Sequence, residues 1–297
     1  MAEPNYYAQY LKEAGYPVYS ADGVYWFGYN GFLLPAYLPH SVPEINAESV
    51  KEVLRKSGKL FARWDCNFDC KTESHWWHVI HKAPYSFDQC SSNTRSKIRR
   101  GYKKLNAKTV SVSEILNSGY TVCTKATSRY HSGNFLISRE DFEKRVSAAG
   151  KYPQTIEYVG VFFGELLVGY SENHIQNGAV FWENIWYDPE YLRMYSSYVL
   201  TDYMLKYYLN EKQMSYVSDG CRSLYHETNV QDFFIDKFHF SRAYSSLNLT
   251  YSPILKNIVN CIYPFRSVIS SMSSKLKIDL FKKVDGLMKQ ECICRSK

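Results

Sequence analysis

The sequence has no long unbroken apolar run and no framework of closely spaced cysteines. Its longest apolar stretch, residues 159–170, is interrupted by glycines and Glu165 and is too short to span a bilayer as a helix. The first residues lack the basic start and apolar core of a signal peptide. Eight cysteines spread over 297 residues are typical of a reducing compartment. These absences predict a cytoplasmic protein without a transmembrane helix.

Acidic residues are missing from one part of the chain. Residues 89–113 contain seven basic side chains and no acidic one, and residues 254–297 contain nine basic and three acidic ones. Since the net charge is +7, the rest of the chain carries a net charge of −6. A general nucleic-acid binder is more often basic throughout. With 45% apolar residues, the chain is predicted to fold into a mildly acidic body with two basic segments.

The segment from about residue 155 to 251 predicts a meander of strands that leads into helices. β-branched and aromatic runs separated by Gly164 and by Asn177-Gly178 indicate antiparallel strands. The apolar spacing then changes to three and four, which is typical of an amphipathic helix. Predicted strands cover 156–163, 166–175, 179–187, 215–218 and 242–250. Predicted helices cover 196–214, with Ser196 or Ser197 as N-cap, and 228–237.

The two ends of the chain give weaker signals. Asn30-Gly31 between aromatic runs predicts a hairpin, followed by a helix at 47–57 and a strand at 60–64. Residues 253–297 predict basic amphipathic helices. Such helices lie on anionic membranes, and they also pack as ordinary terminal helices or as contacts of a homodimer. The sequence leaves these alternatives open.

Four motifs suggest a known superfamily: the basic helix Ser92 to Lys104, the turn Arg193-Met-Tyr-Ser-Ser, Asp219-Gly220 at the end of a strand, and Phe234-Ile-Asp-Lys-Phe-His-Phe. Over about residues 91–251 the chain resembles the GNAT acyltransferase superfamily, and within it the FemAB-like branch. The resemblance implies an α+β fold with a mixed, mostly antiparallel sheet flanked by helices. It implies a degenerate GNAT-like half at 1–90, an acyltransferase domain at 91–252 and basic amphipathic C-terminal helices at 253–297.

The resemblance also implies an activity. The expected reaction is transfer of an acyl group from acyl-CoA, such as acetyl-CoA, to a small-molecule amine, for example an amino sugar or another precursor of envelope or surface polysaccharide. Two alternatives stay open. One is a FemAB-like transferase that uses aminoacyl-tRNA, which the acidic body makes less favourable, and the other is a non-catalytic GNAT-like binding protein.

Candidate donor-binding residues follow from the superfamily pattern at the start of a helix. Arg193 occupies the basic position, and Ser196 and Ser197 stand near the small residues that bring the backbone close to a pyrophosphate. Tyr198 departs from the pattern, because its bulk obstructs that approach unless the ring points into the core. Asn229 matches an Asn-led helix of the superfamily. Ser196 is equally consistent with an ordinary N-cap.

One candidate catalytic residue lies on, and two come after, the strands that the resemblance expects to splay apart, 179–187 and 215–218. Glu183 is predicted to share an apolar strand face with Phe181 and Ile185, a setting that raises a carboxyl pKa toward that of a general base. The alternative is an exposed or hydrogen-bonded strand carboxylate without a catalytic role. Asp219 is the rival base, or else a turn former before Gly220. Tyr225 is the candidate acid for the leaving group, since the usual tyrosine position is filled by other residues.

Candidate substrate contacts are basic or polar. Arg95 and Arg99 fall on one face of the predicted basic helix, where they form either a wall for a phosphorylated ligand or a solvated surface. Lys237 matches a Lys-x-x-Phe motif of FemAB-like proteins and is a candidate for carboxylate or phosphate contact. His226, beside Tyr225, is assigned to substrate binding, with a solvated loop histidine as the alternative.

One cluster has residue types that bind zinc. It consists of Cys66, Cys70, His75, His78 and His81. If His75 to His81 form a strand, His78 points away from the other two, because side chains alternate between faces. We therefore expect a half-buried aromatic strand with exposed histidines, and no metal cofactor.

Overall fold

The computed structural model describes residues 5–128, 137–224, 230–276 and 278–296. The strands of the described residues are β1 (Val18–Ala21), β2 (Val24–Tyr29), β3 (Phe32–Pro35), β4 (Phe61–Cys70), β5 (Trp77–Lys82), β6 (Asn106–Val110), β7 (Ile156–Phe163), β8 (Leu166–Gln176), β9 (Ala179–Tyr187), β10 (Tyr216–Cys221) and β11 (Ser241–Tyr251). The helices are α1 (Tyr6–Glu13), α2 (Ala47–Ser57), α3 (Ser92–Tyr102), α4 (Val112–Thr127), α5 (Arg139–Ala149), α6 (Ser196–Leu205), α7 (Val230–Phe238), α8 (Pro253–Ile262), α9 (Arg266–Leu276) and α10 (Asp279–Arg295).

The chain forms two compact units, each built from separate segments. The first unit comprises Met1–Gly15, Val79–Gly220 and Phe233–Ser241. The second unit comprises Tyr16–His78, Cys221–Asp232 and Arg242–Lys297. The predicted division into 1–90, 91–252 and 253–297 stays a prediction.

The first unit is a sheet with helices on both faces. Its strand order is β5-β10-β9-β8-β7-β6, antiparallel from β6 to β9, with β10 parallel to β9. Glu172 of β8 meets Tyr10 of α1 and Arg145 of α5. On β7, Glu157 is paired with Asn173, the residue after Glu172 on β8. The Glu157 carboxylate accepts a hydrogen bond from the hydroxyl of Tyr207, which follows α6. Since adjacent strand residues face opposite sides, α1 and α5 cover one face and α6 the other.

Helix α1 is held on its face by aromatic side chains. Asn5 caps the helix by accepting a hydrogen bond from the Ala8 N–H at 2.8 Å. Tyr7, Tyr10 and Leu11 recur at three-and-four spacing and are buried.

Helices α3 and α6 lie close together on the other face of the sheet. Their close approach depends on Gly101, because a Cβ at this position would collide with the Val199 side chain.

The second unit has the strand order β1-β2-β3-β4-β11. The predicted hairpin at Asn30-Gly31 joins β2 to β3, and both turn residues have positive φ, as a tight two-residue turn requires. Helix α2 packs on this sheet through Val50, Val53 and Leu54, which are buried with Trp26 and Leu33. Thus the aromatic N-terminal segments form a core of their own.

The predicted mixed, mostly antiparallel sheet flanked by helices is confirmed. The predicted helix at 196–214 is helical from Ser196 to Glu211, as α6 followed by a wider helical turn at Lys206–Glu211, but its predicted N-cap was wrong. Its N-cap is Tyr195, with φ of 66° and no side-chain cap, because a short 3-10 turn runs directly into the helix and leaves Ser196 inside its first turn.

The predicted exposure of the histidines was also wrong for two of them. His75 is exposed, but His78 and His81 are buried. His81 packs edge-on against Tyr85 and Phe240, and burial is the main cause that lowers its pKa. Among the described residues no group of three or more His, Cys, Asp or Glu could hold a metal ion. All eight cysteines are described and none forms a disulfide.

Candidate functional site

Strands β9 and β10 of the first unit stop pairing part-way along their length, which leaves an opening between the two strands. They pair only from Tyr216 opposite Ala179 to Ser218 opposite Phe181, after which both strands continue without pairing to each other. Gly220 has φ of 91°, and its N–H donates a hydrogen bond to the Ser218 hydroxyl oxygen at 3.0 Å. A Cβ on Gly220 would also press on the Phe181 ring. The expected splay of these two strands is therefore present, and a glycine makes it possible.

Glu183 lies on β9 just beyond the last paired residue. In the register with β8, Trp182 faces Asn173 and Asn184 faces Glu172, so Glu183 is the extra residue of a β-bulge. Because the bulge breaks the strand alternation, Glu183 does not share a face with Ile185 as predicted. The bulge instead directs its carboxylate toward α1, where only 15% of the side chain is exposed.

Tyr7 and His174 contact the Glu183 carboxylate. The Tyr7 hydroxyl donates a hydrogen bond to Glu183 Oε1. The Tyr7 ring stacks on the imidazole of His174 with ring centroids 3.5 Å apart. His174 Nδ1 is 3.8 Å from Glu183 Oε1, within ion-pair distance when the imidazole is protonated. Thus α1 and β8 together fix the position of the carboxylate.

A buried ion pair lies beside this group. Glu172 is fully buried, and its carboxylate accepts from the Tyr10 hydroxyl at 2.9 Å and from the Asn184 amide at 3.1 Å. Arg145 Nη2 completes the pair at 3.2 Å from Glu172 Oε2. Every donor in this set is provided by a different element, so the carboxylate is held from several sides.

Burial and the neighbouring Glu172 carboxylate raise the pKa of Glu183 from its ordinary 4.5 to about 7. The hydrogen bond from Tyr7 and the charge of Arg145 act in the opposite direction. The rise is in the direction predicted for this residue. A carboxyl group with this pKa exchanges protons readily near neutral pH, which is what a general base needs.

The amino end of α6 carries the predicted donor residues. Ser196 is fully buried, and its hydroxyl has no hydrogen-bond partner among the described residues. Ser197 is half-buried, while Arg193 in the preceding turn is exposed. Tyr198 packs against Phe233 and Phe238 of α7 rather than extending freely into solvent.

Basic side chains of α3 have different surroundings. Arg95 Nη1 donates to the Asp88 and Cys90 carbonyls, each at 2.7 Å, and so holds the turn before the helix. Arg99 lines a cavity of about 440 Å³. The cavity residues are Phe87, Ile98, Arg99, Tyr102, Lys103 and Lys206. Three basic side chains around apolar and aromatic ones can bind a ligand in which an anionic group is attached to an aromatic or apolar part.

The remaining predicted residues lie elsewhere. Asp219 follows the last paired residue of β10, and its charge adds to burial in raising the pKa of Tyr187 at the far end of β9. Lys237 is half-buried on α7, 4.0 Å from its neighbour Asp236. The predicted residues Tyr225, His226 and Asn229 lie outside the described residues.

Sequence reasoning missed most of the residues around Glu183. They are Tyr7, Tyr10, Arg145, Glu172 and His174. One signal was available: Glu172 and His174 stand two apart in a predicted strand, which places them on the same face. No local pattern could assign the tyrosines of α1, because their partners are more than 150 residues away in the chain.

The fold is shared with several solved structures. The crystal structure of FemX superposes with a TM-score of 0.57 at 10% identity, covering 86% of this chain and 93% of that chain. The C-terminal domain of a protein described as a lysylphosphatidylglycerol synthetase, from Agrobacterium fabrum, gives 0.56 at 9% identity, covering 88% and 92%. L-PGS from Bacillus licheniformis gives 0.50 at 13%, covering 86% and 95%.

At these low identities, the similarity between this chain and the solved structures concerns the fold alone. No protein-family model matches the chain, and a search of curated proteins found no match either. The predicted likeness to the GNAT superfamily and its FemAB-like branch is confirmed at the level of the fold. Among the described residues no helix is both long and apolar enough to cross a bilayer.

Proposed function

We propose that this chain, which has the fold of FemX, transfers an acyl group to an amine with Glu183 as general base. The observation that carries the proposal is a carboxyl group with a pKa of about 7 in a bulge next to the opening between β9 and β10. A carboxylate buried in this way accepts a proton at neutral pH, whereas an exposed one is too weak a base.

The proposed reaction is a direct aminolysis. Glu183 takes one proton from the substrate ammonium, and the freed nitrogen attacks the acyl carbonyl carbon to form a C–N bond. The tetrahedral intermediate then expels the thiolate of an acyl-CoA or the ribose oxygen of an aminoacyl-tRNA. As the C–S or C–O bond breaks, the substrate nitrogen loses its second proton and the leaving group takes up one proton, so that an amide and a thiol or a ribose hydroxyl result. Glu183 then releases its own proton to solvent. Backbone groups of β9 and β10 that do not pair across the opening are candidate donors to the oxyanion. Tyr225 stays the predicted acid for the leaving group.

Acyl-CoA is the first donor that we propose. The amino end of α6 offers backbone N–H groups to a phosphate, and the guanidinium of Arg193, which is exposed in the turn before this helix, is accessible to the same group. Arg99, Lys103 and Lys206 offer further phosphate contacts. As acceptor we propose an amine such as an amino sugar or another precursor of surface polysaccharide.

Aminoacyl-tRNA is the second candidate donor. Tyr198 occupies the turn where coenzyme A would need a small residue, and its ring is fixed by Phe233 and Phe238. Two of the solved structures with this fold are described as lysylphosphatidylglycerol synthetases or L-PGS, which suggests aminoacyl transfer. The basic face of α3 would then contact the tRNA backbone.

Thermal melting with each donor separates the candidates. A raised melting midpoint with acetyl-CoA, followed by amide formation with an amine acceptor in mass spectrometry, supports the first donor. A shift with charged tRNA alone supports the second. If neither donor changes the melting midpoint, the proposal of an acyltransferase fails and a non-catalytic binding protein becomes the better account.

The Tyr7→Phe variant tests whether the Tyr7 hydroxyl sets the pKa of Glu183, the proposed general base. The variant keeps the ring that stacks on His174 and removes the hydroxyl that donates to Glu183. Because that hydrogen bond lowers the pKa of Glu183, its loss raises the pKa further. We expect about two- to tenfold lower kcat/KM near pH 6 and nearly normal activity near pH 9, measured as a full pH profile.

The neighbouring Tyr6→Phe is the matched control, since Tyr6 is exposed on the same helix. It should leave the pH profile unchanged. A Tyr7→Phe profile that overlays that of the unaltered protein would show that the hydroxyl does not act on the base.

We also propose that α8 and α9 contact an anionic membrane surface. Five apolar side chains of these helices and of the turn between them are between 37% and 74% exposed: Ile254, Ile258, Phe265, Val268 and Met272. Residues 253–276 contain Lys256, Arg266 and Lys275 and no acidic residue. A second copy of this chain would bring the same positive charge to the surface, so anionic lipid is the complementary occupant.

Vesicle sedimentation tests this contact. Each basic residue near an anionic surface contributes about 1 kcal/mol, so the three together predict about a hundredfold preference for phosphatidylglycerol vesicles over phosphatidylcholine vesicles. Replacing Lys256 and Arg266 by glutamate should abolish the preference, whereas Arg55→Glu on α2 should not. Equal binding to both vesicles, or dimerisation through this face, would contradict the proposal.

A further inference from the structure

The second unit contains a cavity that the proposed transferase reaction does not use. It has a volume of about 480 Å³ and lies beside β4 and the segment that precedes α2. Its wall combines polar and apolar residues, with Trp64, Phe68 and Ile45 among the apolar ones. Among the described residues, its acidic members are Asp65 and Glu44, and no lysine or arginine lines it. The cavity is therefore acidic and partly aromatic.

A β-bulge builds one wall of this cavity. Cys66 pairs with Ser246 of β11 and Cys70 pairs with Tyr244, so three residues of β4 lie outside the regular pairing. Two of them, Asn67 and Asp69, have positive φ values of 54° and 59°. The left-handed backbone on both sides turns Phe68 toward the cavity, where its ring lies 5.5 Å from His78 and 6.5 Å from His40.

Asp65 is oriented by contacts to only one of its oxygens. Oδ1 accepts from the Trp76 indole N–H and from the Ser245 hydroxyl at 3.3 Å, and it lies 3.2 Å from His78 Nε2. Oδ2 has no hydrogen-bond partner among the described residues. Only 18% of the side chain is exposed. Asp65 thus keeps one carboxylate oxygen without a hydrogen-bond partner among the described residues, and the residue is part of the cavity wall.

The electrostatic setting keeps this carboxylate charged. Burial acts to raise the pKa of Asp65, but His78, the Trp76 hydrogen bond and the charge of Arg63 outweigh it, so the pKa lies below its ordinary value. A charged carboxylate next to aromatic faces is a general way to bind an ammonium group, since the ring faces carry negative potential. Anionic ligands are disfavoured because both acidic residues repel them.

We infer that this cavity binds an organic ammonium ion, with Asp65 Oδ2 as its hydrogen-bond acceptor and Phe68 and Trp64 around its apolar stem. Glu44 at the exposed edge adds attraction for the same charge. The inference does not rest on the proposed transferase activity, because all residues involved belong to the second unit and binding is measured with no acyl donor present.

Isothermal titration with 1,5-diaminopentane tests the inference, with 1,5-pentanediol as the uncharged probe of the same length. We expect saturable binding of the diamine and none of the diol. Asp65→Asn keeps an oxygen for the Trp76 indole and removes the charge, so it should weaken binding about tenfold or more. Glu48→Gln is the matched control, because Glu48 is exposed on α2 and does not line the cavity.

Phe68→Leu provides a second variant in case Asp65→Asn does not fold. It keeps apolar volume and removes the ring, which should weaken diamine binding about two- to fivefold. Circular dichroism and a melting curve verify the fold of each variant. Equal binding of diol and diamine, or unchanged affinity in a folded Asp65→Asn protein, would overturn the inference.

Discussion

Replacing Glu183 by glutamine is expected to lower the rate of acyl transfer about 10²- to 10⁴-fold, the range that general acid–base groups contribute. The glutamine has the same shape but cannot accept the substrate proton. Donor binding, measured as the shift in melting midpoint with acetyl-CoA or charged tRNA, should not change. Such a separation of rate from binding is what a base requires, and a merely structural carboxylate would not produce it.

Glu165→Gln is the control for the Glu183 variant. Glu165 is exposed in the turn between β7 and β8. The substitution therefore makes the same change of charge in the same unit at a position away from the opening between β9 and β10. Its rate should remain within about twofold of the unaltered protein. If Glu183→Gln retains comparable activity, Glu183 is not the base and Asp219 becomes the next residue to test.

Loss of activity in Glu183→Gln should not come from unfolding. A carboxyl whose pKa is raised from 4.5 to about 7 in the folded state binds its proton more tightly there than in the unfolded chain. Its contribution to stability is therefore present below about pH 4.5 and is lost as the pH rises to about 7. Above that pH the glutamine variant should be more stable than the unaltered protein, by up to about 3 kcal/mol.

Replacing Arg145 by methionine is expected to lower the free energy of unfolding by about 3–5 kcal/mol, because it leaves a buried carboxylate without its counter-charge. Glu172 is fully buried and depends on Arg145 for that charge. Methionine keeps much of the apolar stem of arginine, so the loss reports the charge rather than a cavity. Chemical denaturation followed by circular dichroism measures the change.

Arg139→Met on the same helix is the control. Arg139 pairs with Glu143 on the exposed side of α5, where such a pair contributes only about 0.3–0.5 kcal/mol. A loss as small as this in Arg145→Met would mean that the tyrosine and asparagine donors suffice for Glu172. Any activity left in Arg145→Met should also need a higher pH, because the arginine charge lowers the pKa of Glu183.

The strands of the first unit could be predicted because their signals are local. The Asn177-Gly178 turn, the Gly164 turn and the β-branched runs around them specify β7, β8 and β9 almost to the residue. The opening after Phe181 was expected only from the superfamily resemblance, because no local pattern says where two parallel strands stop pairing.

The surroundings of Glu183 could not be predicted in the same way. A one-residue bulge opposite Glu172 and Asn173 is invisible in the sequence, yet it turns the carboxylate toward Tyr7 and His174. The burial of His78 and His81 likewise depends on partners from distant strands. Sequence reasoning proposed Glu183 as the base but placed Ile185 on its face and did not anticipate Tyr7 and His174.

The sequence by itself determined the elements whose apolar period and turn residues lie within a few positions of one another, such as β9 and the hairpin at Asn30-Gly31. It also determined where charge accumulates along the chain. Only the tertiary structure decided that Tyr7 of α1, His174 of β8 and Glu183 of β9 meet, and that the carboxyl pKa rises to about 7. The physical reason is that pairing across the sheet and desolvation depend on residues far apart in the chain, which no local pattern encodes.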